Sequence, residues 1–417
     1  MKLRLPKISL THSGILLEYI AAFLLIVFCN FWVYKGRPLI PLYYFYLMSL
    51  LCIPFLIFIK MKGTLSKGQI LSIICSLWIF GTFLYQNTED WQYIAHPGTA
   101  VSCYVITIFF INYLSKKRVL SVTNIMLVLN TLYISAETFW RISHPASSRA
   151  IGAVIDNSAD SSSAIYLFKC NSFMYSDSNS VGLALLVLLF LTLYLYLHVQ
   201  RRKLYLGLIF IYSILIVLTF SRAALIALIL SSFIIWSYYF LKKQIVLYKN
   251  TKKTTLKFLL YIIFVPVIFS IFGILIIFYL LHDGSFATKI DLFAAMGKYF
   301  KIASLKSILF GIGTNLNLSN KYFGRYPHTI ILTYLAWYGI VGMCLIYYWW
   351  CVIIKETRYK ALYIFLPQIF AGISYTMPGL HIFYVALGIV YYFEKRAREK
   401  IELYQHGNIS NYKGEPL

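Results

Sequence analysis

A histidine and an arginine lie close together where one long apolar segment of this chain begins. The sequence Arg325-Tyr326-Pro327-His328-Thr329 directly precedes the apolar run that starts at Ile330. Imidazole is the side chain best suited to moving protons near neutral pH, so His328 is a candidate general base. The alternative is a structural histidine at the end of a helix. Arg325, three residues earlier, would place a cation beside this base.

A second cationic group, Arg222, lies between two apolar runs. An arginine at membrane depth costs about 2.5 to 3.5 kcal/mol on insertion scales, so it generally faces a polar cavity or an anion. Its planar guanidinium fits the oxygens of a phosphate. The alternative is a side chain that extends to the membrane surface without binding a ligand. Arg222 is therefore a candidate for phosphate binding.

Two polar segments add weaker signals. In Tyr175-Ser176-Asp177-Ser178-Asn179, either Asp177 or Asn179 is expected to cap the following helix, and both could contact sugar hydroxyl groups from the same place. The turn Phe310-Gly311-Ile312-Gly313 offers backbone N–H groups to a phosphate or a sugar, although a plain turn between helices is the commoner structure.

Composition restricts the class of protein that these residues serve. Of the 417 residues, 60% are hydrophobic, 18% aromatic and 12% charged, and the mean hydropathy is +0.72. No soluble domain of ordinary composition approaches these values, so we expect an all-α polytopic integral membrane protein, with residues 1–417 forming a single membrane domain. The net charge of +24 then reports membrane orientation rather than nucleic-acid binding.

Apolar runs of about 20 residues predict about twelve transmembrane helices. They lie near 14–33, 39–59, 69–86, 99–115, 119–138, 179–198, 204–221, 223–241, 257–281, 328–354, 361–376 and 379–393.

Basic clusters predict the orientation of these spans. With twelve spans every Lys/Arg cluster falls on one side, which makes that side and both termini cytoplasmic. Two large loops, about 139–178 and 282–327, then face the opposite side. The second loop contains a segment, 291–306, with apolar residues at near-helical spacing beside Lys298 and Lys301. We expect it to be an amphipathic helix at the membrane–water boundary.

A family resemblance rests on the order of these motifs. Ser221-Arg222 stands at a span boundary, and a long loop with the double-glycine turn follows. His328 and Thr329 then precede Gly339-Ile340-Val341-Gly342, with nine residues between Thr329 and Gly339. This order resembles the family of O-antigen ligases and Wzy-type O-antigen or capsule polymerases. Ligases usually carry Asn, Ser or Gln after the histidine, where this chain has Thr329. The segment around Asp177 is more similar to the polymerases.

The resemblance implies a GT-C-like, metal-independent inverting glycosyltransferase of the bacterial inner membrane, without a cofactor. Its donor would be an undecaprenyl-diphosphate-linked glycan on the periplasmic side, and its partners would include membrane lipid and a chain-length regulator protein. Polymerisation of repeat units is the expected reaction, with ligation to lipid A-core as the alternative. The resemblance implies catalysis by His328 and Arg222, and diphosphate or glycan binding by Arg325, Lys298, Lys301, Asp177 and Asn179.

A flippase of lipid-linked oligosaccharides is the non-enzymatic alternative. Such a transporter is expected to carry charged residues deep in several spans and to consist of two similar halves. Here the ionisable residues inside spans are few, chiefly Glu18 and Glu137 near span ends, and no repeat is evident. The polar residues are concentrated in two loops instead. This distribution favours an enzyme that acts at one membrane face.

The orientation gives a first prediction. Phosphatase reporters fused at Asp160 and Lys321 should be active, and reporters that function only in the cytoplasm should be silent there, because the twelve predicted spans put the basic clusters on the side opposite both sites. The opposite result at either site would reverse the span count and move His328 to the cytoplasmic side.

Overall fold

The structure, a computed structural model, is almost wholly helical in the parts that it describes. One antiparallel pair of two-residue strands, Val33–Tyr34 (β1) and Arg37–Pro38 (β2), is the exception there. The described residues are 65–85, 91–112, 114–146, 167–175, 177–251, 284–313, 315–324 and 327–405, with a few positions between 16 and 38.

Twelve helices lie within these ranges. In chain order they are Lys67–Tyr85 (α1), Trp91–Ile111 (α2), Lys116–Ser143 (α3), Ser178–Tyr194 (α4), Lys203–Leu218 (α5), Arg222–Thr251 (α6), Gly284–Ile302 (α7), Leu305–Phe310 (α8), Leu316–Phe323 (α9), Ile330–Glu356 (α10), Leu362–Gly372 (α11) and His381–Gln405 (α12). Helix α4 continues into a π-helical turn, Leu195–Val199.

Four segments are long and apolar enough to cross a membrane: Lys116–Ser143, Ser178–Val199, Arg222–Val246 and Ile330–Glu356. Four shorter apolar helical segments accompany them. Nine of the predicted spans coincide with described helices, which is consistent with an all-α membrane protein. Of the other three, the predicted spans at 39–59 and 257–281 lie outside the described residues, and the one at 14–33 is described only at scattered positions, which do not include Glu18.

Helix α4 occupies the centre of the bundle. Its sequence is apolar on all sides, and nearly every side chain from Ser178 to Tyr194 is buried. It packs against α5, α11, α12 and α6. A helix that is hydrophobic all round is stable only when neighbours surround it. Gly182 brings α6 especially close, since a Cβ on this glycine would lie 2.8 Å from the Ala224 Cβ.

Several predicted elements differ in extent from the described helices. The span expected at 361–376 ends as a helix at Gly372, and residues 374–380 form a connection instead. The span expected at 379–393 continues to Gln405. The helix expected at 291–306 begins earlier, at Gly284, and stops at Ile302, because Ser304 caps the new helix α8 and its Oγ accepts a hydrogen bond from the Ser307 N–H.

Helix α10 is interrupted where α8 docks against it. Gly339 has φ 69° and ψ −179° inside α10, and Gly311, which ends α8, has φ 82°. A Cβ on Gly311 would lie 2.5 Å from the Trp337 carbonyl oxygen, and a Cβ on Gly339 would overlap the Leu309 carbonyl group. The Ile312 N–H donates to the Ala336 carbonyl at 2.6 Å. The two glycines therefore allow two backbones to touch, which any side chain would prevent.

Gly342, the second glycine of the pair Gly339 and Gly342, has a different role. Gly342 lies one turn further along α10, where a Cβ would overlap the Trp78 indole of α1. Trp78 in turn stacks on Phe310 of α8, with ring centroids 5.7 Å apart. Gly339 therefore serves the backbone contact with α8, and Gly342 allows α1 to pack closely, as small residues do between membrane helices.

A glycine series should separate these effects. Gly339→Ala should remove most folded protein from the membrane, because it combines a backbone conformation that is essentially restricted to glycine with a backbone overlap. Gly324→Ala also has a positive φ, of 72°, but its ψ of −11° lies in the αL region that other residues can adopt and it faces open space, so it should cost about 1 to 2 kcal/mol. Gly207→Ala, in open space within α5, should be neutral or slightly stabilising. Membrane abundance and thermal unfolding in detergent measure the series; equal effects at Gly339 and Gly324 would contradict the overlap.

Candidate functional site

Polar side chains from four chain segments meet at one end of the bundle. They come from the start of α4, the α5–α6 turn, the start of α10 and the α11–α12 connection. We call this set the polar cluster: Asp177, Asn179, Ser180, Ser221, His328 and Tyr375.

The start of α4 supplies the first part of the polar cluster. Asp177 is the N-cap of α4, and its Oδ1 accepts the Asn179 N–H at 2.9 Å. The Asn179 side-chain amide donates to the other Asp177 oxygen at 3.1 Å, and its Oδ1 accepts the Ser221 hydroxyl at 2.9 Å. Of the two residues that the sequence offers as the cap, Asp177 and Asn179, the structure has Asp177 in this position. The same contacts join α4 to the residue next to Arg222.

The α5–α6 turn is held in a strained shape. Phe220 has φ 54°, a left-handed conformation that is unfavourable for a bulky residue and costs of order 1 to 3 kcal/mol. Neighbouring contacts stabilise it. The Ser178 hydroxyl donates to the Thr219 carbonyl at 2.5 Å, and the Thr219 hydroxyl accepts the Ser221 N–H at 3.1 Å. Strain of this kind persists only where the surroundings fix the backbone, and here it orients Ser221 towards Asn179.

A buried ion pair fixes the end of α5 that leads into this turn. Arg141 and Glu137, both on α3, are fully buried, and Arg141 Nε donates to Glu137 Oε1 at 3.0 Å. The two terminal nitrogens of Arg141 donate to the carbonyls of Phe168, at 2.8 Å, and Leu218, at 2.9 Å. One guanidinium therefore connects α3, the segment before α4 and the last turn of α5.

Tyr375 connects α4 to His328. Its hydroxyl oxygen lies 2.9 Å from Ser180 Oγ, and its ring stacks on the His328 imidazole with centroids 6.1 Å apart. The Thr376 N–H donates to the His328 carbonyl at 2.8 Å. Burial, and then the charge of Asp177, raise the pKa of Tyr375 well above its ordinary value. Its hydroxyl therefore stays protonated, and it remains able to donate a hydrogen bond.

His328 precedes a well-capped helix. Thr329 is the N-cap of α10, and its Oγ1 accepts the Leu332 N–H at 3.4 Å. The Thr333 hydroxyl donates to the Pro327 carbonyl at 2.9 Å. Thr329 and Pro327 are buried, whereas His328 is partly exposed. The backbone on both sides of His328 is thus held, while its ring remains accessible.

The other predicted residues are distributed more widely. Arg222 is partly exposed and begins α6, directly after Ser221 of the polar cluster. Lys298 and Lys301 lie on the exposed side of α7, whereas Tyr299 between them is buried against Tyr322 and Phe323 of α9. Arg325 lies outside the described residues.

The double-glycine turn does not offer its first two N–H groups to a ligand. The Gly311 N–H donates to the Ser307 carbonyl at 2.8 Å, and the Ile312 N–H donates to Ala336. These bonds satisfy both donors internally. The hypothesis of a phosphate cradle at Gly311 and Ile312 therefore fails, and the turn acts in packing α8 against α10.

Sequence reasoning missed Tyr375 and Ser180. Tyr375 fell inside the predicted span 361–376, although Pro378-Gly379 just after it is a strong turn signal. Ser180 carried no signal of its own in the sequence. Its role follows from the approach of the α11–α12 connection to the start of α4.

Those of the predicted cytoplasmic clusters that the structure describes lie at the opposite end of the bundle. At the far end of α4, His198 Nε2 lies 3.3 Å from Lys360 Nζ. Arg396 donates to the Asn112 carbonyl at 2.8 Å, and Arg398 donates to the Glu356 carbonyl at 2.5 Å. About 33 Å of helix separates this basic end from the polar cluster, at 1.5 Å per residue over Ser178–Val199.

Within the described residues, no three His, Cys, Asp or Glu side chains lie close enough together to hold a metal ion. No protein-family model matches the chain, and no curated protein is significantly similar to it.

The ion pair gives a prediction about stability. Glu137→Gln should lower the free energy of unfolding by about 3 to 5 kcal/mol, because it leaves the Arg141 charge buried without its counter-charge. Glu399→Gln is the matched control: it removes the carboxylate of the Arg396 pair, whose side chains are 47% and 44% exposed, and should cost less than about 1 kcal/mol. Unfolding of both variants in detergent is the measurement, and similar losses would show that burial of the pair is unimportant.

Proposed function

We propose that this chain is a membrane glycosyltransferase that uses a lipid-diphosphate-linked glycan as donor and acts at the polar cluster. One observation carries the proposal. Tyr375 joins His328 to the start of α4, where Asp177, Asn179 and Ser221 are linked by hydrogen bonds. These residues are far apart in sequence, and they bring carboxylate, amide, hydroxyl and imidazole groups to one place. The motif order of the O-antigen ligase and polymerase family supports the same assignment.

The reaction needs two groups on opposite faces of the anomeric carbon of the donor: a base on the side of the attacking hydroxyl, and an anion-binding group on the side of the leaving diphosphate. In the proposed step, His328 takes the proton of an acceptor sugar hydroxyl, and that oxygen attacks the anomeric carbon of the donor. The bond from this carbon to the diphosphate oxygen breaks, and the lipid diphosphate leaves with the electron pair. The configuration at carbon is inverted.

Arg222 is proposed to stabilise the departing diphosphate. Its guanidinium can bind two phosphate oxygens at once, and it follows a turn that is rigidly held by Ser178 and Thr219. Lys298 and Lys301 are exposed on α7, and they and Arg325 would contact the diphosphate more peripherally. Asp177 and Asn179 satisfy each other, so they would meet the glycan through the oxygen lone pairs that these bonds leave.

Polymerisation of repeat units at the periplasmic face of the inner membrane is the form of the reaction that we propose, because the Asp177 segment is most similar to the polymerases. Ligation to lipid A-core is the alternative. A strain that lacks the gene decides between them: lipopolysaccharide with a single repeat unit on the core indicates a polymerase, and core without any repeat indicates a ligase.

The proton-transfer role of His328 gives a prediction. His328→Ala should lower the transfer rate by about 10² to 10⁴, with near-normal membrane abundance and donor binding, because a missing base affects mainly the chemical step. His144→Ala is the matched control, since His144 is an exposed histidine at the end of α3 that stacks on Trp140 outside the polar cluster. It should retain parental activity.

The measurement is transfer in vitro with purified lipid-linked donor, run with and without a chelator. Turnover by His328→Ala within about threefold of the parent would show that His328 is a structural residue and not the general base. A lower abundance of His328→Ala with unchanged turnover per folded molecule would have the same meaning.

A further inference from the structure

A cavity at the basic end of the bundle has no role in the proposed reaction. It has a volume of about 1110 Å³ and lies between the first turns of α3 and the π-helical turn with the α4–α5 connection. We call it the basic cavity. It is separated from the polar cluster by the length of α4, so it is independent of the glycosyltransferase proposal.

Four exposed cationic side chains line the basic cavity: Lys116 and Lys117 of α3, and Arg201 and Arg202 of the connection. None of the described residues that line it is acidic. Cations are expected at the cytoplasmic ends of membrane helices. Here, however, they surround a concave space from two sides, and their mutual repulsion is relieved if an anion occupies it.

Helix ends increase the positive potential in this cavity. Helix α3 begins at Lys116 and α5 begins at Lys203, so the N-termini of two helices lie at its rim, and neither first turn contains an acidic residue. The N-terminus of a helix carries partial positive charge. Basic residues placed there repel this charge, whereas a bound anion is attracted to it. Ser115 caps α3, since its Oγ accepts the Arg118 N–H at 3.4 Å, whereas α5 has no side-chain cap. At both helices, however, basic residues and no acidic ones flank the N-terminus, so the positive potential at the rim of the cavity is not compensated.

The neutral part of the lining indicates what carries the anion. Leu120 and Ile125 of α3 and Leu197 of the π-helical turn supply apolar surface next to the cations. Asn124 also lines the cavity, and its Oδ1 accepts the Tyr205 hydroxyl at 2.8 Å, so its amide nitrogen is the group that can donate to a ligand. Apolar groups beside cations and a donor suit a molecule with a phosphate and a hydrocarbon chain.

The position of the cavity favours a lipid over a soluble phosphate. It lies at the ends of two segments that are long and apolar enough to cross a membrane, Lys116–Ser143 and Ser178–Val199. Such ends lie at the level of the lipid headgroups, where basic pockets between helices bind anionic headgroups. We infer that the basic cavity binds the headgroup phosphate of an anionic phospholipid, with the upper part of an acyl chain against Leu120, Ile125 and Leu197.

The test is the stabilisation of the purified full-length protein in neutral detergent by short-chain lipids. Dioctanoyl phosphatidylglycerol should raise the unfolding temperature in a saturable, salt-sensitive manner, and dioctanoyl phosphatidylcholine should raise it much less. Lys116→Gln/Lys117→Gln should weaken the apparent affinity for phosphatidylglycerol by about thirtyfold, since each basic residue contributes about 1 kcal/mol near anionic lipid.

Lys242→Gln/Lys243→Gln is the matched control, because this exposed lysine pair lies at the same end of the bundle but does not line the cavity. It should bind phosphatidylglycerol with nearly parental affinity. Arg201→Gln/Arg202→Gln tests the opposite wall, and serves as the second variant if the first does not fold.

Three results would overturn the inference. Equal stabilisation by phosphatidylcholine would show that charge is not recognised. An equal loss of affinity in the Lys242/Lys243 control would show that the membrane-facing surface as a whole attracts the lipid. Saturable stabilisation by glycerol 3-phosphate or inorganic phosphate at the same concentrations would assign the cavity to a soluble phosphate compound instead.

Discussion

The buried guanidinium of Arg141 is the interaction on which the polar cluster depends. A charge inside an apolar bundle is tolerated only when it is paired and its remaining donors are satisfied. Arg141 meets this condition through Glu137 and the carbonyls of Phe168 and Leu218. Three separate segments must therefore converge on one side chain. Their convergence sets the end of α5, and with it the strained turn that brings Ser221 to Asn179.

The contact between Gly311 and Gly339 is a comparable constraint elsewhere in the bundle. It breaks α10 and lets the short helix α8 lie against the exposed backbone. Non-helical backbone at membrane depth is stable only where protein covers its polar groups, and here Ala336 and Ile312 form a direct hydrogen bond across the contact. This contact anchors α8, which precedes His328 in the chain, to α10, which follows it. The backbone of His328 is therefore restrained, while its ring remains accessible.

The two ends of the bundle differ in their chemistry. At one end, polar side chains bond mainly to one another and to backbone, and the arrangement is specific at the level of single atoms. At the other end, cations surround a cavity and approach two helix N-termini without acidic partners. Specific hydrogen bonding suits the orientation of a reacting group, whereas concentrated positive charge suits a ligand recognised mainly by its own charge. The proposed transfer reaction and the proposed lipid site follow this division.

The sequence by itself determined the class and most of the elements. Hydropathy over 20-residue windows depends only on local composition, so the helices at nine of the predicted spans could be predicted. Local sequence also limited the N-cap of α4 to Asp177 or Asn179. The positions of Tyr375 and Ser180 could not, because each acquires its role from a neighbour far along the chain. The same holds for Gly311 and Gly339, whose spacing suggested a phosphate cradle and helix packing until the tertiary contact showed two backbones in touch. Only tertiary structure decides which polar groups meet, because a buried polar group must form hydrogen bonds and its partners lie on other segments of the chain.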